Sequence, residues 1–345
     1  MNRNLLHVTD KNTLPSDSVS CVRWMDKGNQ IFFMISSWDG TLRVYQVEST
    51  SFKQVFIHET EYPITAFDVS AEKGKVVYSN LTGQVNMLDL QSKSEVMIHN
   101  HAVPIRSLYL IENSQSAIAF DADKMIKGIE MRERGGTWDY SFRYTISAVS
   151  YAAPMFAVGF MQAFFTVFQL NELRTGHPSY FANPLNSPCS AIQLSKDCTE
   201  VTIATLDGRI CRMLLPSRQN NNVKSDLAFK AHKKDIEHAN DVGILFQINS
   251  IDFIYRPGSF YCISGGGDGM FFIWDIINRY RCGFLNMGSP VVEVKAHPIQ
   301  PLVIVCTGYD WSQGIWGLET IPYTPSIAIY VLSNKDFENS NTDRM

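Results

Sequence analysis

The stretch "SGGGDGMFFIWD", residues 264–275, holds residue types that could do chemistry, because closely spaced glycines can let backbone N–H groups cradle a phosphate. A phosphate loop also needs a helix after the glycines and a Lys-Ser/Thr pair. Here the glycines precede an aromatic and β-branched run from Met270 to Trp274, which predicts a strand. The Asp268-Gly269 pair between two strand-like runs therefore predicts a hairpin turn.

Other candidates for chemistry are equally weak. His99 and His101 in "HNHAVP" offer two metal ligands, but the sequence identifies no further ligands for a complete site. The seven cysteines are scattered and never spaced C-x-x-C, which predicts buried structural thiols rather than disulfides or a zinc site. Neither H-E-x-x-H nor G-x-S-x-G is present. We therefore expect a protein that is not an enzyme and has no metal or cofactor.

Charge is distributed unevenly along the chain. The net charge is −4, yet residues 209–234 carry seven Lys and Arg against one Asp. Such asymmetry indicates a local site for an acidic partner, although a solvated, disordered loop would have the same composition.

No apolar stretch approaches the roughly 18 to 20 residues of a membrane span, and "MNRNLLHVTD" lacks the apolar core of a signal peptide. We expect a cytoplasmic or nuclear protein with no membrane partner.

Turn signals between strand-like runs recur along the whole chain. Their spacing is 39 to 45 residues, with a single interval of 61. A period of about 40 to 45 residues is typical of the four-stranded blade of WD repeats. The sequence thus predicts an all-β fold, a seven-bladed WD-repeat β-propeller, with blades marked by turns at Asp39-Gly40, Thr82-Gly83, Asp123-Lys124, Gln162-Ala163, Asp207-Gly208, Asp268-Gly269 and Asp310.

The same pattern predicts one domain over residues 1–335. The N-terminal "NLLHVTD" can add an outer strand beside "SIAIYVL" near the C-terminus and so close the ring. The long interval contains a polar segment, about residues 216–243, that is typical of a surface insertion. Residues 336–345 are expected to form a disordered tail.

Blade geometry would position the basic residues. Arg209 directly follows the Asp207-Gly208 turn, and Arg279 and Arg281 follow "FIWD" one blade later. Neighbouring blades would then bring these three arginines towards one groove beside Trp274. A tryptophan at such a rim can serve as an interface anchor.

Several units resemble a known family. "SSWDGTLRVYQV", "DGRICRMLLP", "LAFKAHKK" and "INSIDFIYRPGSFYCISGGGDGMFFIWD" are similar to units of the nuclear-pore mRNA export factors of the WD-repeat class and of their sisters, the mitotic-checkpoint propellers. The most specific piece is "YDWSQG", which resembles the last-blade insertion of the export factors. The checkpoint sisters usually have a glutamate-rich, tyrosine-containing loop there. Departures are "AHKKDIEHAND" and "GIWGLETIPYTP", and blades three and four match weakly.

The resemblance implies a non-enzymatic adaptor that docks a short GLEBS segment of an FG-repeat nucleoporin and also contacts single-stranded RNA. It implies location in the nucleus and at the nuclear pore complex of the nuclear envelope, with cytoplasmic shuttling, and a monomer that pairs with its partner as a heterodimer. The alternatives are a spindle-checkpoint propeller that binds checkpoint kinases at kinetochores, and a generic WD-repeat scaffold. By motif match, the partner-binding residues are Arg209, Phe229, Lys230, Trp274, Asp275, Arg279 and Arg281.

Overall fold

The computed structural model describes residues 5–111, 115–131, 136–216, 223–235, 243–256, 259–320 and 323–337. The chain divides into two compact units. The first unit comprises Leu6–Ile146 with Pro325–Ala328, and the second comprises mainly Ser147–Thr324 with the chain from Ile329 onward.

The described residues of the first part of the chain form thirteen strands. They are β1 (Leu5–Val8), β2 (Val19–Trp24), β3 (Phe32–Ser37), β4 (Thr41–Val47), β5 (Ser51–Glu59), β6 (Ile64–Ser70), β7 (Lys75–Asn80), β8 (Gln84–Asp89), β9 (Glu95–Asn100), β10 (Ile105–Ile111), β11 (Ser116–Asp121), β12 (Met125–Glu130) and β13 (Thr137–Ser141).

The described residues of the rest of the chain form the remaining strands and two short α-helices. They are β14 (Ile146–Ala152), β15 (Met155–Phe160), β16 (Phe164–Gln169), α1 (Glu172–Thr175), β17 (Tyr180–Ala182), β18 (Cys189–Leu194), β19 (Glu200–Thr205), β20 (Arg209–Leu214), β21 (Lys224–Lys230), β22 (Lys233–Asp235), β23 (Gly243–Leu245), β24 (Ile248–Arg256), β25 (Ser259–Gly266), β26 (Met270–Asp275), β27 (Tyr280–Asn286), β28 (Val291–Ala296), β29 (Leu302–Thr307), α2 (Gly314–Thr320) and β30 (Ser326–Val331).

Over the described part of the chain, these strands form seven four-stranded sheets, two of which are joined through β1 and β5 into one eight-stranded sheet. Six sheets use consecutive strands: β2–β5, β6–β9, β10–β13, β14–β17, β18–β21 and β24–β27. The seventh has the order β28-β29-β30-β1, and β1 also pairs in parallel with β5. β22 and β23 form a separate hairpin. The predicted all-β fold, with a repeat of four strands, is confirmed.

Burial explains why the strands of a sheet differ in sequence. The second strands, such as β19 (EVTIAT) and β29 (LVIVCT), are buried along their whole length and read as continuous apolar or small-residue runs. The fourth strands, such as β5, alternate between more and less exposed positions, because only one face packs on the sheet interior. Within each unit, neighbouring sheets enclose apolar clusters that hold them together.

The structure differs from the predicted insertion at residues 216–243. Lys224–Lys230 is β21, the fourth strand of its sheet, and it pairs with β20 from Arg209↔Lys230 to Leu214↔Lys224. Only Phe229 in β21 is fully buried, and its polar neighbours hid the strand pattern. Residues 217–222 and 236–242 of the predicted insertion lie outside the described residues.

The predicted disordered tail also begins too early. Asn334–Phe337 form a turn of 3₁₀-helix, and Phe337 packs against the apolar cluster of β24–β29 with its ring centroid 4.6 Å from that of Tyr261. Asp336 accepts hydrogen bonds from the backbone N–H and the hydroxyl of Ser333, at 2.6 and 2.8 Å. The rest of the predicted tail, residues 338–345, lies outside the described residues.

Substitution of Gly83 tests whether its turn requires a residue without a side chain. It has φ of +87°, and a Cβ there would lie 2.3 Å from the carbonyl oxygen of His101. Gly74 is the matched control, because it has φ of +61° but a Cβ there would meet nothing within 4 Å. Both alanine variants should lose roughly 1–2 kcal/mol for the left-handed backbone, and Gly83→Ala should lose about 1–3 kcal/mol more for the clash.

The measurement is the free energy of unfolding in urea for both variants. Equal losses for Gly74→Ala and Gly83→Ala would contradict the close approach of the two backbones.

Candidate protein-binding site

The predicted site residues Phe229 and Trp274 meet where sheets β18–β21 and β24–β27 pack together. Their ring centroids lie 5.0 Å apart at an interplanar angle of 60°. Both belong to an apolar cluster, and they are only 8% and 5% exposed, respectively. These rings therefore hold the two sheets together, and their burial speaks against direct contact with a partner in this conformation.

A buried chain of hydrogen bonds fixes Trp274. Its indole N–H donates to Ser264 Oγ at 2.8 Å, Ser264 Oγ lies 2.9 Å from His232 Nε2, and His232 Nδ1 lies 2.8 Å from Asp268 Oδ1. Because a carboxylate only accepts, His232 Nδ1 carries a proton and donates it to Asp268. His232 is not among the site residues predicted from the sequence, although it directly follows the "FKA" of the matched "LAFKAHKK" unit.

Asp275, which was also predicted to bind a partner, has a structural role in a turn. It is 3% exposed. Its carboxylate accepts hydrogen bonds from the backbone N–H groups of Ile277 and Asn278, at 3.1 and 2.7 Å, and so fixes the turn between β26 and β27.

Arg281 lies on the outer strand beside this core. Its guanidinium carbon is 5.3 Å from the ring centroid of Phe272 and 5.1 Å from that of Phe284. Phe272 is buried, whereas Phe284 is 61% exposed. Arg281 and Phe284 therefore present a cation and a flat aromatic face at the outer edge of sheet β24–β27.

Arg279 ends a charge network that joins the two sheets. Arg212 donates from Nε to Glu200 at 2.9 Å and from Nη1 to Asp226 at 2.9 Å, and Arg279 donates to the Asp226 carbonyl at 3.3 Å. Burial raises the pKa of Glu200, and the neighbouring Arg212 acts against that rise. The Arg279 side chain is 57% exposed, so it remains accessible to a partner.

The structure does not bring Arg209 into the groove beside Trp274. In β20, side chains alternate between faces: Ile210 joins the cluster with Trp274, whereas Cys211 packs with Leu185 in the cluster on the other face. Arg209 shares that other face, where it donates to the Leu185 carbonyl at 2.7 Å and from Nε to Asp207 at 2.9 Å.

Lys230 accompanies Arg209. The two residues are directly opposite in the antiparallel pairing of β20 and β21, so their side chains leave the same face of the sheet. Lys230 is exposed. Strand alternation therefore places Arg209 and Lys230 on the face opposite to Phe229, whereas Arg209 was expected in the groove beside Trp274.

Exposed apolar side chains mark a second surface, whose residues are not among the predicted site residues. Trp311, Ile315 and Trp316 are 55%, 68% and 78% exposed. They belong to the segment 309–316, here called the tryptophan segment, at the start of α2. Tyr309 anchors the segment, because its hydroxyl donates to the Gly314 carbonyl. The clue in the sequence is "YDWSQGIW" itself, which places two tryptophans in a turn-rich stretch.

The β22–β23 hairpin lies near the tryptophan segment. Gln247, two residues after β23, donates from its side-chain amide to the Asp310 carbonyl at 3.1 Å. Ile244 and Leu245 in the hairpin are 49% and 37% exposed. An exposed apolar area of this kind, with aromatic members, is typical of a protein-interaction site.

The described residues were also searched for a metal site and for a membrane-spanning helix. Among them, no group of three or more His, Cys, Asp or Glu side chains could hold a metal ion. Within the same residues, neither α-helix nor any other helix has the length and apolar character needed to cross a membrane.

Comparison with known proteins defines the class. A family model of the WD domain, G-beta repeat, matches residues 8–46. The β-propeller domain of Cps50 (Swd1) from Myceliophteria thermophila superposes with a TM-score of 0.67 over 93% of this chain and 99% of that chain, at 15% identity. With its four-stranded sheets, the chain is a seven-bladed WD-repeat β-propeller, as predicted.

Individual relatives show which proteins of this class the chain resembles. The mRNA export factor GLE2 of Chaetomium thermophilum is 24% identical, over 92% of this chain and 88% of its own length. The Poly(A)+ RNA export protein of Schizosaccharomyces pombe is 22% identical, over 87% and 84%. The mitotic checkpoint protein bub3 of Dictyostelium discoideum is 24% identical, over 87% and 88%. The predicted resemblance to WD-repeat mRNA export factors and their checkpoint sisters is confirmed.

Removal of the Ser264 hydroxyl tests the buried hydrogen-bond chain. Ser264→Ala would leave Trp274 Nε1 and His232 Nε2 without their shared partner, and a buried unsatisfied group costs about 1–3 kcal/mol. Ser312→Ala, at an exposed serine that also bonds a neighbouring aspartate, should cost less than about 0.5 kcal/mol. Urea unfolding measures both losses, and equal stability of the two variants would contradict the structural part assigned to Ser264.

Proposed function

We propose that the chain is a non-enzymatic adaptor in mRNA export, which docks a GLEBS-type segment of an FG nucleoporin. Similarity to proteins named for mRNA and poly(A)+ RNA export, over most of the length of both chains, supports this role. The observation that carries the docking is the tryptophan segment, where two indole rings and Ile315 remain mostly exposed. Large aromatic side chains are enriched among the residues that dominate binding energy.

The adaptor would act at the nuclear pore, with location in the nucleus and nuclear envelope and shuttling to the cytoplasm. It would be a monomer that forms a heterodimer with the nucleoporin. Cations would meet acidic residues of the partner. The exposed Arg279 and the half-buried Arg281 lie beside one sheet interface, and the exposed Lys230 and the half-buried Arg209 lie on the opposite face of sheet β18–β21. Arg209 already bonds Asp207, so a partner would have to compete for it.

The checkpoint role is the second candidate. The similarity to mitotic checkpoint protein bub3 equals the similarity to GLE2 in percentage identity. The "YDWSQG" stretch favours export, because it resembles the export factors and not the checkpoint sisters. Affinity purification with mass spectrometry separates the two: nucleoporins would support export, and checkpoint kinases would support the alternative. A generic scaffold would recover neither group.

Truncation of Trp316 tests the docking surface. Loss of an anchor tryptophan at the centre of an interface costs about 2 kcal/mol or more, which weakens binding by roughly 30-fold. The measurement is calorimetry with a GLEBS peptide. Trp38→Ala is the matched control, since Trp38 is a 38% exposed tryptophan on a different sheet, and it should leave the affinity unchanged.

Binding of the Trp316→Ala variant within about threefold of the original protein, with an unchanged melting temperature, would contradict docking on the tryptophan segment. A threefold change corresponds to about 0.7 kcal/mol.

Contact with single-stranded RNA is the remaining part of the proposal. Phe284 offers an exposed ring for base stacking beside the Arg281 guanidinium. Binding should be weak, tolerant of sequence and steeply reduced by salt. Phe284→Ala should lose about 1–3 kcal/mol of binding free energy, whereas Tyr62→Ala, at an exposed aromatic of the first unit, should lose none. Fluorescence polarisation with a labelled oligonucleotide measures this, and salt-independent binding would contradict direct phosphate contact.

A further inference from the structure

A pocket of about 470 Å³ lies in the second unit at the end of β24 opposite to the tryptophan segment. Gln247 precedes β24 and bonds Asp310, whereas the pocket begins at Ile254 and includes Arg256, the last residue of this nine-residue strand. The volume falls within the range of about 300–1,000 Å³ typical of ligand sites. We call it the Arg256 pocket.

Three segments build the Arg256 pocket. They are the end of β24, the turn between β28 and β29, and the chain that follows β30. Ile254, Ala296, Leu302 and Leu332 are all buried and supply an apolar base. Phe337 adds an aromatic wall. A bulky aliphatic or aromatic side chain would replace water against this surface at a gain in free energy.

Hydrogen bonds hold the turn and the strand end in place. The buried His297 accepts with Nδ1 from the backbone N–H groups of Ile299 and Gln300, at 3.1 and 2.9 Å, which fixes the turn. The Tyr255 hydroxyl accepts from the backbone N–H of Lys196 at 2.9 Å. The pocket is therefore pre-formed, so a ligand need not order these segments on binding.

The charge of the pocket is positive. Arg256 lies over the Phe337 ring, 4.2 Å from its centroid, and donates to Asn334 Oδ1 at 2.9 Å, which occupies one of its five N–H groups. The Lys196 ammonium lies 4.4 Å from the Tyr255 ring centroid. The described lining residues include no carboxylate, and the nearby Asp336 already accepts hydrogen bonds from Tyr330 and Ser333. Within the described lining, an acidic group would therefore meet the Arg256 guanidinium and no carboxylate.

The rim extends the surface beyond the pocket. Ile299 is 82% exposed, although it is aliphatic and lies on a turn whose backbone is fixed by His297. Gln300, which follows it, is also exposed and lines the pocket. A ligand that fills the pocket and also covers Ile299 must be longer than a single side chain, which favours a polypeptide over a small molecule.

We propose that the Arg256 pocket is a docking site for a short acidic segment of a partner protein, with one bulky apolar side chain seated in the pocket and a neighbouring Asp or Glu paired with Arg256. The guanidinium can bind a carboxylate through two parallel hydrogen bonds. This site is separate from the tryptophan segment, so the chain can hold a second partner while a first is docked there.

The test uses the full chain and a phage library of 12-residue peptides. Selected peptides should combine a Leu, Ile, Phe, Met or Trp residue with an Asp or Glu within two positions. A labelled peptide from the selection is then titrated by fluorescence polarisation. We expect Ile299→Glu and Arg256→Gln to weaken its binding at least tenfold, and we expect the loss for Ile299→Glu to be the larger, since it adds a repulsive charge.

Ile315→Glu is the matched control, because Ile315 is another exposed isoleucine, 68% exposed, on the tryptophan segment. It should change the affinity less than twofold. All variants are checked for an unchanged melting temperature. Peptides without acidic residues, or peptides that bind both pocket variants as well as the original protein, would overturn the proposal.

The chain's own residues 338–345 are the rival occupant, since they follow Phe337 and contain Glu338 and Asp343. A variant that ends at Phe337 distinguishes the two. If the truncated variant binds the peptide with an affinity within about threefold of that of the full chain, the result supports docking of a partner. Selection of pocket-dependent peptides only after this truncation would show that the tail fills the pocket, which would overturn the proposal.

Discussion

The imidazole of His232 lies between sheets β18–β21 and β24–β27, and both of its ring nitrogens are hydrogen-bonded within the second of these sheets. It follows the outer strand of one sheet and reaches Ser264 and Asp268 of the other. Because His232 has no exposed surface, loss of either hydrogen bond would leave a polar atom unsatisfied in an apolar surrounding. The relative position of the two sheets, and hence of every candidate residue on them, depends on this contact.

The same packing decides which candidate residues can reach a partner. Phe229 and Trp274 fill the space beside His232, which leaves them buried, while Arg281 and Phe284 occupy the outer edge of the sheet. Asp226 accepts from arginines of both sheets and adds a partly exposed ionic tie at the periphery. Binding surfaces are therefore left to the turns and outer strands, where a rigid sheet supports exposed side chains.

Much of the fold could be predicted from the sequence, because it repeats. Turn pairs such as Asp39-Gly40 and Asp268-Gly269, spaced by one blade length, mark strands whose apolar runs are easy to recognise. β21 was missed because lysines at both of its ends and an interrupting Asp226 mask the burial of Phe229.

The candidate site was harder to predict from the sequence, since the face on which a side chain lies depends on strand register. A one-residue shift separates Arg209 from Ile210, and only the pairing of β20 with β21 shows which of them joins Trp274. The Arg256 pocket is built from segments far apart in the chain, which no local pattern reveals. The stretch "YDWSQGIW" gives a local clue to the tryptophan segment, but the exposure of its side chains shows only in the structure.

The central claim is that a partner docks on the tryptophan segment of the propeller. Hydrogen–deuterium exchange of the full chain, with and without a saturating GLEBS peptide, shows which backbone amides the bound peptide protects. Docking on the tryptophan segment would slow the exchange of backbone amides in residues 309–320 and 243–247 and leave the exchange of residues 254–256 and 296–302 of the Arg256 pocket unchanged. Protection that is absent from residues 309–320 and appears at the Arg256 pocket would contradict it.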